Sequence, residues 1–310
     1  MNYELNIITT MRKLLILIGA VLIVAGCKKK EEAQTPISGY ITVRGSEQTL
    51  PMMMEQAYAF MDLYSKAKIL VVGGGSNVGL AALFMDSAQV AVSTRPMTAE
   101  EKQRAADLGF KMNEFKICRD GIAVVINPQN SVRKLTIAQV RGLFTGAIKN
   151  WSRVGGPNLA VKVHVWNENS GTFSFLRDSI LLGEEYRADA WQYDNTEDII
   201  KSIQKNKGGI GIISMARLYT SWSPLLEDAR IVAVALAQSP EEGFVEPDEA
   251  TVHAGTYPLS RYIYLYTAHE ALGLDAGFIS FIMASPGQKI IAANGFVPIT
   301  VPVKYVGDTL

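Results

Sequence analysis

From Ile37 onward, short apolar runs alternate with amphipathic ones. Tyr40-Ile41-Thr42-Val43 predicts a strand, and Pro51 to Lys66 a helix with Pro51 in its first turn. Lys68 to Val72 reads as a second strand, Asn77 to Met85 as a short helix, and Gln89 to Val92 as a third strand. Thr98 opens a helix that reaches Gly109, with Glu100 and Glu101 at its positive end. Phe115 to Cys118 looks like a buried strand, and Gly121 to Ile126 is a longer one ending at Asn127-Pro128.

The middle repeats the theme. Thr136 to Leu143 is a capped helix, Val161 to Trp166 a strand, and Thr172 to Leu182 and Glu197 to Asn206 are helices. Gly209 to Ile213 is a glycine-flanked strand and Tyr257 to Thr267 a long one, followed by closing helices at Leu274 to Ala284 and Gly287 to Asn294. Alternation of this kind predicts an α/β architecture with parallel strands. No internal repeat is visible.

The N-terminal segment follows another pattern. Met11-Arg12-Lys13 precedes an apolar run from Leu14 to Ala25. That run is about 12 residues, against the roughly 20 needed to span a bilayer. A basic start, a short apolar stretch and small residues at its end predict a secretory signal, with Met11 as the start. Val24-Ala25-Gly26-Cys27 resembles the bacterial lipobox, which implies that Cys27 carries lipid and begins the mature chain. Lys28 to Pro36 is charged and aperiodic, and reads as a tether.

Composition narrows the function classes. The 310 residues have room for about two domains, and 48% hydrophobic residues allow each a core. Formal net charge is zero, so nothing points to a nucleic-acid partner. Of the two cysteines, a lipidated Cys27 leaves Cys118 without an intrachain partner, as a small buried hydrophobe.

Three loops share one design: each follows a predicted strand, opens a predicted helix and offers Gly, Ser or Thr. They are Gly45-Ser46-Glu47-Gln48-Thr49, Gly74-Gly75-Ser76-Asn77 and Asn169-Ser170-Gly171-Thr172. A fourth segment, Ser93-Thr94-Arg95-Pro96, is placed alike. Helix N-termini carry unsatisfied N–H groups and partial positive charge, so an anion binds there, with hydroxyls adding donors. The commoner use of a Ser or Thr at such a place is an N-cap. In open α/β sheets such loops gather at the carboxyl ends of strands.

The order of these segments resembles the phosphate-binding proteins of Pst-type transporters over most of Ile37 to Pro302. The matching pieces are the GSEQT loop, GGGSNVG, AVSTRPMTAEE, GIAVVINPQN, LTIAQVRGLFTGAIKNWSRVGG, NENSGTFSFLRDSILLG, GGIGII, TYPLSRYIYLY and SPGQKIIAANGFVPI. The stretch from Leu135 to Gly156 is the most specific. The resemblance implies an α/β, two-lobed periplasmic-binding-protein fold of type II, each lobe a mixed sheet flanked by helices, with the ligand in the cleft. The implied layout is a signal over 1–27, a tether over 28–36, a first lobe from 37–123 plus 254–303, a second lobe over 124–253, and a tail over 304–310. The chain would cross between lobes near Ala123 and His253. Carried over by motif, the ligand groups are Ser46, Thr49, Ser76, Ser93, Thr94, Arg95, Ser170, Gly171 and Thr172. The implied partners are phosphate or a related oxyanion, an ABC permease and, through the lipid, a membrane. The protein is expected to be a monomer on the extracytoplasmic side of the cell envelope.

One departure stands out. Many members of that family carry an arginine four residues before the serine of the Ser-Gly-Thr loop, and another just after the threonine. Here these positions are Trp166 and Phe173. A buried oxyanion needs charge or many hydrogen bonds in return for its lost hydration, and the cationic candidates are then Arg95, Arg44 and Arg177. Thr94 stands about where some members use an Asp to accept the proton of hydrogen phosphate. Sulfate, molybdate or tungstate binding, or a sensor or adhesion role on the same fold, are the alternatives.

Catalysis finds no constellation. His164, His253 and His269 show no metal-ligand spacing, Ser170 lies in Asn-Ser-Gly instead of a nucleophile elbow, and no phosphate-binding loop for nucleotides is present. The expectation is a binder, not an enzyme, without cofactor or metal.

Overall fold

The computed structural model describes residues 35–219 and 232–299. The readings placed on Met11, Cys27, the 1–27 signal, nearly all of the tether and the 304–310 tail lie outside these residues.

The strands are β1 (Gly39–Gly45), β2 (Ala67–Val72), β3 (Val90–Ser93), β4 (Asn113–Ile126), β5 (Lys134–Thr136), β6 (Lys162–Trp166), β7 (Trp191–Tyr193), β8 (Gly209–Ser214), β9 (Val232–Ala233), β10 (Ala235–Ala237), β11 (Ser260–Thr267) and β12 (Val297–Pro298). The main sheet runs β2-β1-β3-β11-β4-β8-β6-β7. β1 is parallel to β2 and β3, and β6 is parallel to β7 and β8. The centre is antiparallel: β11 opposes β3 and β4, and β4 opposes β8. The parallel expectation therefore holds for the flanks and fails at the centre. Strand–helix alternation speaks only for consecutive elements, and β11 is a late strand inserted between β3 and β4.

The two strands predicted at Phe115 to Cys118 and Gly121 to Ile126 are one continuous β4. Its first part pairs with β11 up to Gly121, and from Ile122 it pairs with β8. The same strand thus serves both lobes of a two-lobed fold. Arg119-Asp120-Gly121 interrupts the apolar run in the sequence without breaking the strand.

Each lobe has its own core. In one, Phe60 packs edge-on against Phe278 and Phe281 at 5.6 and 5.5 Å, beneath Ile41 and Val43 of β1. In the other, Phe144, Trp151 and Trp166 surround the second part of β4, β6 and β8. Burying one such aromatic contributes about 2–3 kcal/mol, so Phe60→Ala costs about 3–5 kcal/mol once its cavity is included. Two helices away from the cleft begin with reciprocal side-chain caps. Thr98 and Glu101 form a capping box on Ala99–Asp107, and Thr136 and Gln139 one on Ile137–Thr145.

Candidate functional site

The loops after β1, β2, β3 and β6 meet at the junction of the lobes. Ser76 and Thr94 are almost fully buried, as is Thr172. Ser76 Oγ lies 3.3 Å from Thr94 Oγ1 and accepts the Thr94 amide at 3.0 Å. Gly171 is packed onto both: a Cβ there would stand 2.3 Å from Ser76 Oγ and 2.4 Å from Thr94 Oγ1. Gly75, with φ of 99°, lets its loop approach the other lobe, since a Cβ would be 2.4 Å from the Asn169 carbonyl oxygen. Asn77 joins the lobes directly. Its amide N–H donates to Asn169 O at 3.2 Å and its Nδ2 to Glu168 O at 2.9 Å.

Several element starts at this junction go without a side-chain cap, as do Leu274–Met283 and Ser285–Ala293 away from it. The 3-10 turn Glu47–Thr49, the helix Leu50–Leu63 and the helix Ser76–Phe84 have no side-chain cap bond. Uncapped starts leave N–H groups for another acceptor. The helix Gly171–Ser179 does have one, because Ser170 Oγ accepts the Thr172 amide at 3.1 Å. That bond uses a lone pair and leaves the Ser170 proton available to a ligand.

The other hydroxyls that the sequence singled out are engaged within their own loops. Thr49 Oγ1 donates to Ser46 O at 3.1 Å, and Ser93 Oγ donates to Arg95 O at 2.7 Å. The Ser46 amide donates to Val92 O, which ties the first loop to the end of β3. A cleft of about 270 Å³ adjoins the junction, lined by Glu47, Gly74, Gly75, Trp166, Asn169 and Ser170 among others. Glu47 Oε1 accepts the Gly74 amide at 2.6 Å.

The arginines divide. Arg95 gives its guanidinium to Glu101 at 2.6 and 2.8 Å, to Asn77 Oδ1 at 2.6 and 3.1 Å, and to Pro96 O. Burial pushes the Glu101 carboxyl up, but the Arg95 and Thr98 hydrogen bonds outweigh it and hold it below its ordinary value. Arg95 thereby orients Asn77, whose Nδ2 crosses the cleft. Arg177 pairs with Asp178 at 2.9 Å. Arg44 is half-buried, and its Nε has no partner. The guanidinium that reaches the Ser-Gly-Thr loop belongs to Arg261, whose Nη1 donates to Thr172 Oγ1 at 2.9 Å. Sequence reasoning missed it, although a signal exists: Arg261 shares a strand face with Ile263 and Leu265, and a charge on a core-facing position needs a reason.

Two lobes that share a strand and close over a polar junction place the chain in the periplasmic-binding-protein class of folds. The chain belongs to the PBP superfamily domain family, which matches residues 30–286. It is similar to the phosphate-binding protein PstS of Pseudomonas aeruginosa, with 25% identity over 284 residues that cover 86% of this chain and 85% of that one. The Bacillus subtilis PstS is 29% identical over 264 residues, covering 85% and 82%. A solved structure from Clostridium perfringens, described as a phosphate ABC transporter substrate-binding protein with bound phosphate, matches with a TM-score of 0.72. It is 25% identical and covers 84% of this chain and 100% of that one.

Proposed function

We propose that this chain binds one inorganic phosphate at the junction of its lobes and delivers it to an ABC permease from an extracytoplasmic, lipid-anchored position. The role is binding and hand-over, not catalysis. The observation that carries the reading is the meeting of Ser76 and Thr94 with Gly171 from the other side of the cleft. Uncapped helix starts and hydroxyl protons left free by N–H bonds to their oxygens offer a tetrahedral oxyanion what it lost in water. The named relatives and the lipobox-like Val24-Ala25-Gly26-Cys27 support the transport setting. A ligand that contacts both lobes favours the closed form by its differential affinity for it, and the permease would read that form.

A second reading keeps the site and changes the anion to sulfate, molybdate or tungstate. Thr94, a neutral residue, favours it, because a donor-only site does not reject a fully deprotonated anion. Glu47 at the cleft favours hydrogen phosphate, whose proton a carboxylate accepts and whose competitor sulfate it repels. Calorimetry of the ligand-stripped protein with these four anions decides. Phosphate should bind one to one and tightest; silence toward phosphate with a clear signal for another oxyanion overturns the phosphate assignment.

A further inference from the structure

One buried charged pair lies where β4 passes from one sheet to the other. Arg261 on β11 stands directly opposite Asp120 on β4, and both are almost fully buried. The Arg261 Nε and Nη2 donate to Asp120 Oδ2 at 3.3 and 2.9 Å, while Asp120 Oδ1 accepts the Ser214 hydroxyl at 2.6 Å. The remaining donors of the fork reach both sides of the cleft: Nη1 to Thr172 Oγ1 at 2.9 Å and Nη2 to Gln48 Oε1 at 2.5 Å.

We propose that Arg261 is the positioning cation of the anion site, aligning the Thr172 hydroxyl and the Gln48 amide as donors and joining the first loop to the Ser-Gly-Thr loop. This rests on the oxyanion reading above. A hydroxyl whose lone pair takes an N–H from a guanidinium turns its own proton outward and is polarised as a donor. The same logic holds Gln48: with Oε1 fixed by Arg261, its buried Nε2 is left without a partner, a spare donor beside Thr49. Charge geometry agrees. Asp120 is bound on the Nε and Nη2 side and Thr172 through Nη1, so the positive end of the pair faces the Ser-Gly-Thr loop. Neither Arg95 nor Arg177 can fill that place, since Glu101 and Asp178 hold them.

The test uses the full-length protein, stripped of ligand, and inorganic phosphate in calorimetry, with thermal unfolding of the ligand-free protein alongside. Asp120→Asn combined with Arg261→Gln removes the charge without leaving a partner ionised and alone. Arg261→Lys keeps the charge and loses the fork. The neutral double variant should bind roughly tenfold to a hundredfold more weakly, the loss of one charge-assisted bond. Arg261→Lys should recover part of that loss while unfolding at a similar temperature to the double variant. Parental affinity in the double variant overturns the assignment, and so does a lysine variant no better than it, which marks a merely structural pair. If the parent itself gives no heat with phosphate, the phosphate reading falls and this proposal with it.

Discussion

Gly171→Ala separates closure from folding. Gly171 opens the helix Gly171–Ser179 and is absent from the positive-φ glycines, so alanine meets no backbone strain. In a helix, alanine is preferred over glycine by about 0.5–1 kcal/mol, so the ligand-free protein should be as stable as the parent or slightly more. The closed cleft does not accept the methyl. It would stand 2.3 Å from Ser76 Oγ and 2.4 Å from Thr94 Oγ1, where packed atoms keep about 3.5 Å or more. Those hydroxyls are buried and bonded, so relief comes from the lobes standing about 1 Å further apart. An anion bridging the gap then loses donors from one side. Two such bonds at about 1.5–3 kcal/mol each amount to about 3–6 kcal/mol, or two to four orders of magnitude in affinity. Calorimetry with phosphate, paired with thermal unfolding of the ligand-free protein, reads both quantities. A variant with parental affinity refutes the closure geometry; one that loses stability together with binding refutes the separation.

Three further outcomes follow from other parts of the chain. Cys27→Ala should release the protein from membranes or leave it unprocessed, and fractionation that finds it membrane-bound and cleaved at the same site contradicts lipidation. Glu47→Gln keeps an acceptor for the Gly74 amide and removes one of the two carboxylates that line the cleft, Asp194 being the other, so the preference for phosphate over sulfate should shrink by about tenfold in competition calorimetry; an unchanged preference argues against Glu47 as the discriminating group. Burial, with Lys162 adding to it, lowers His164 from 6.5 to about 4. Between those values the unfolded chain takes up a proton that the folded chain refuses, so stability falls as pH falls through that window and is level above it. The slope should total on the order of 2–3 kcal/mol, and His164→Phe should flatten it in denaturant titrations; an equal slope in the variant contradicts this.

Much of the fold was legible because strands and helices alternate with clean apolar periods. The strand at Tyr40 to Val43 and the helices after Pro51 and Thr98 stand where the pattern put them, within a few residues. The continuity of β4 was hidden because the pattern reads Arg119-Asp120-Gly121 as a break, whereas Asp120 is a buried partner of Arg261. The antiparallel centre was hidden because it pairs segments far apart in the chain, such as Asp120 with Arg261 and Ile122 with Ser214. Short strands such as β5, β7 and β10 have too few residues to show a period. At the site, loop composition identified Ser76, Thr94 and Gly171, which come together. It could not tell a hydroxyl facing a ligand from one bonded to its own loop, as with Ser93, nor see that Arg95 faces Glu101. Those distinctions depend on side-chain direction, which spacing does not encode.

The central claim is that one phosphate sits between the lobes and is held by the Ser-Gly-Thr loop. Calorimetric titration of Ser170→Ala combined with Thr172→Ala, side by side with the parent, tests it most directly. The double variant removes two hydroxyl donors and one helix cap. The lost cap costs about 1 kcal/mol of stability and the Arg261 Nη1 left without Thr172 Oγ1 about 1–3 kcal/mol more, so thermal unfolding of the ligand-free variant accompanies the titration. The parent should titrate with one phosphate per chain, and the variant should bind two orders of magnitude more weakly, or about that. A variant that titrates as tightly as the parent would show that Ser170 and Thr172 only cap and pack their helix, and that the anion site lies elsewhere.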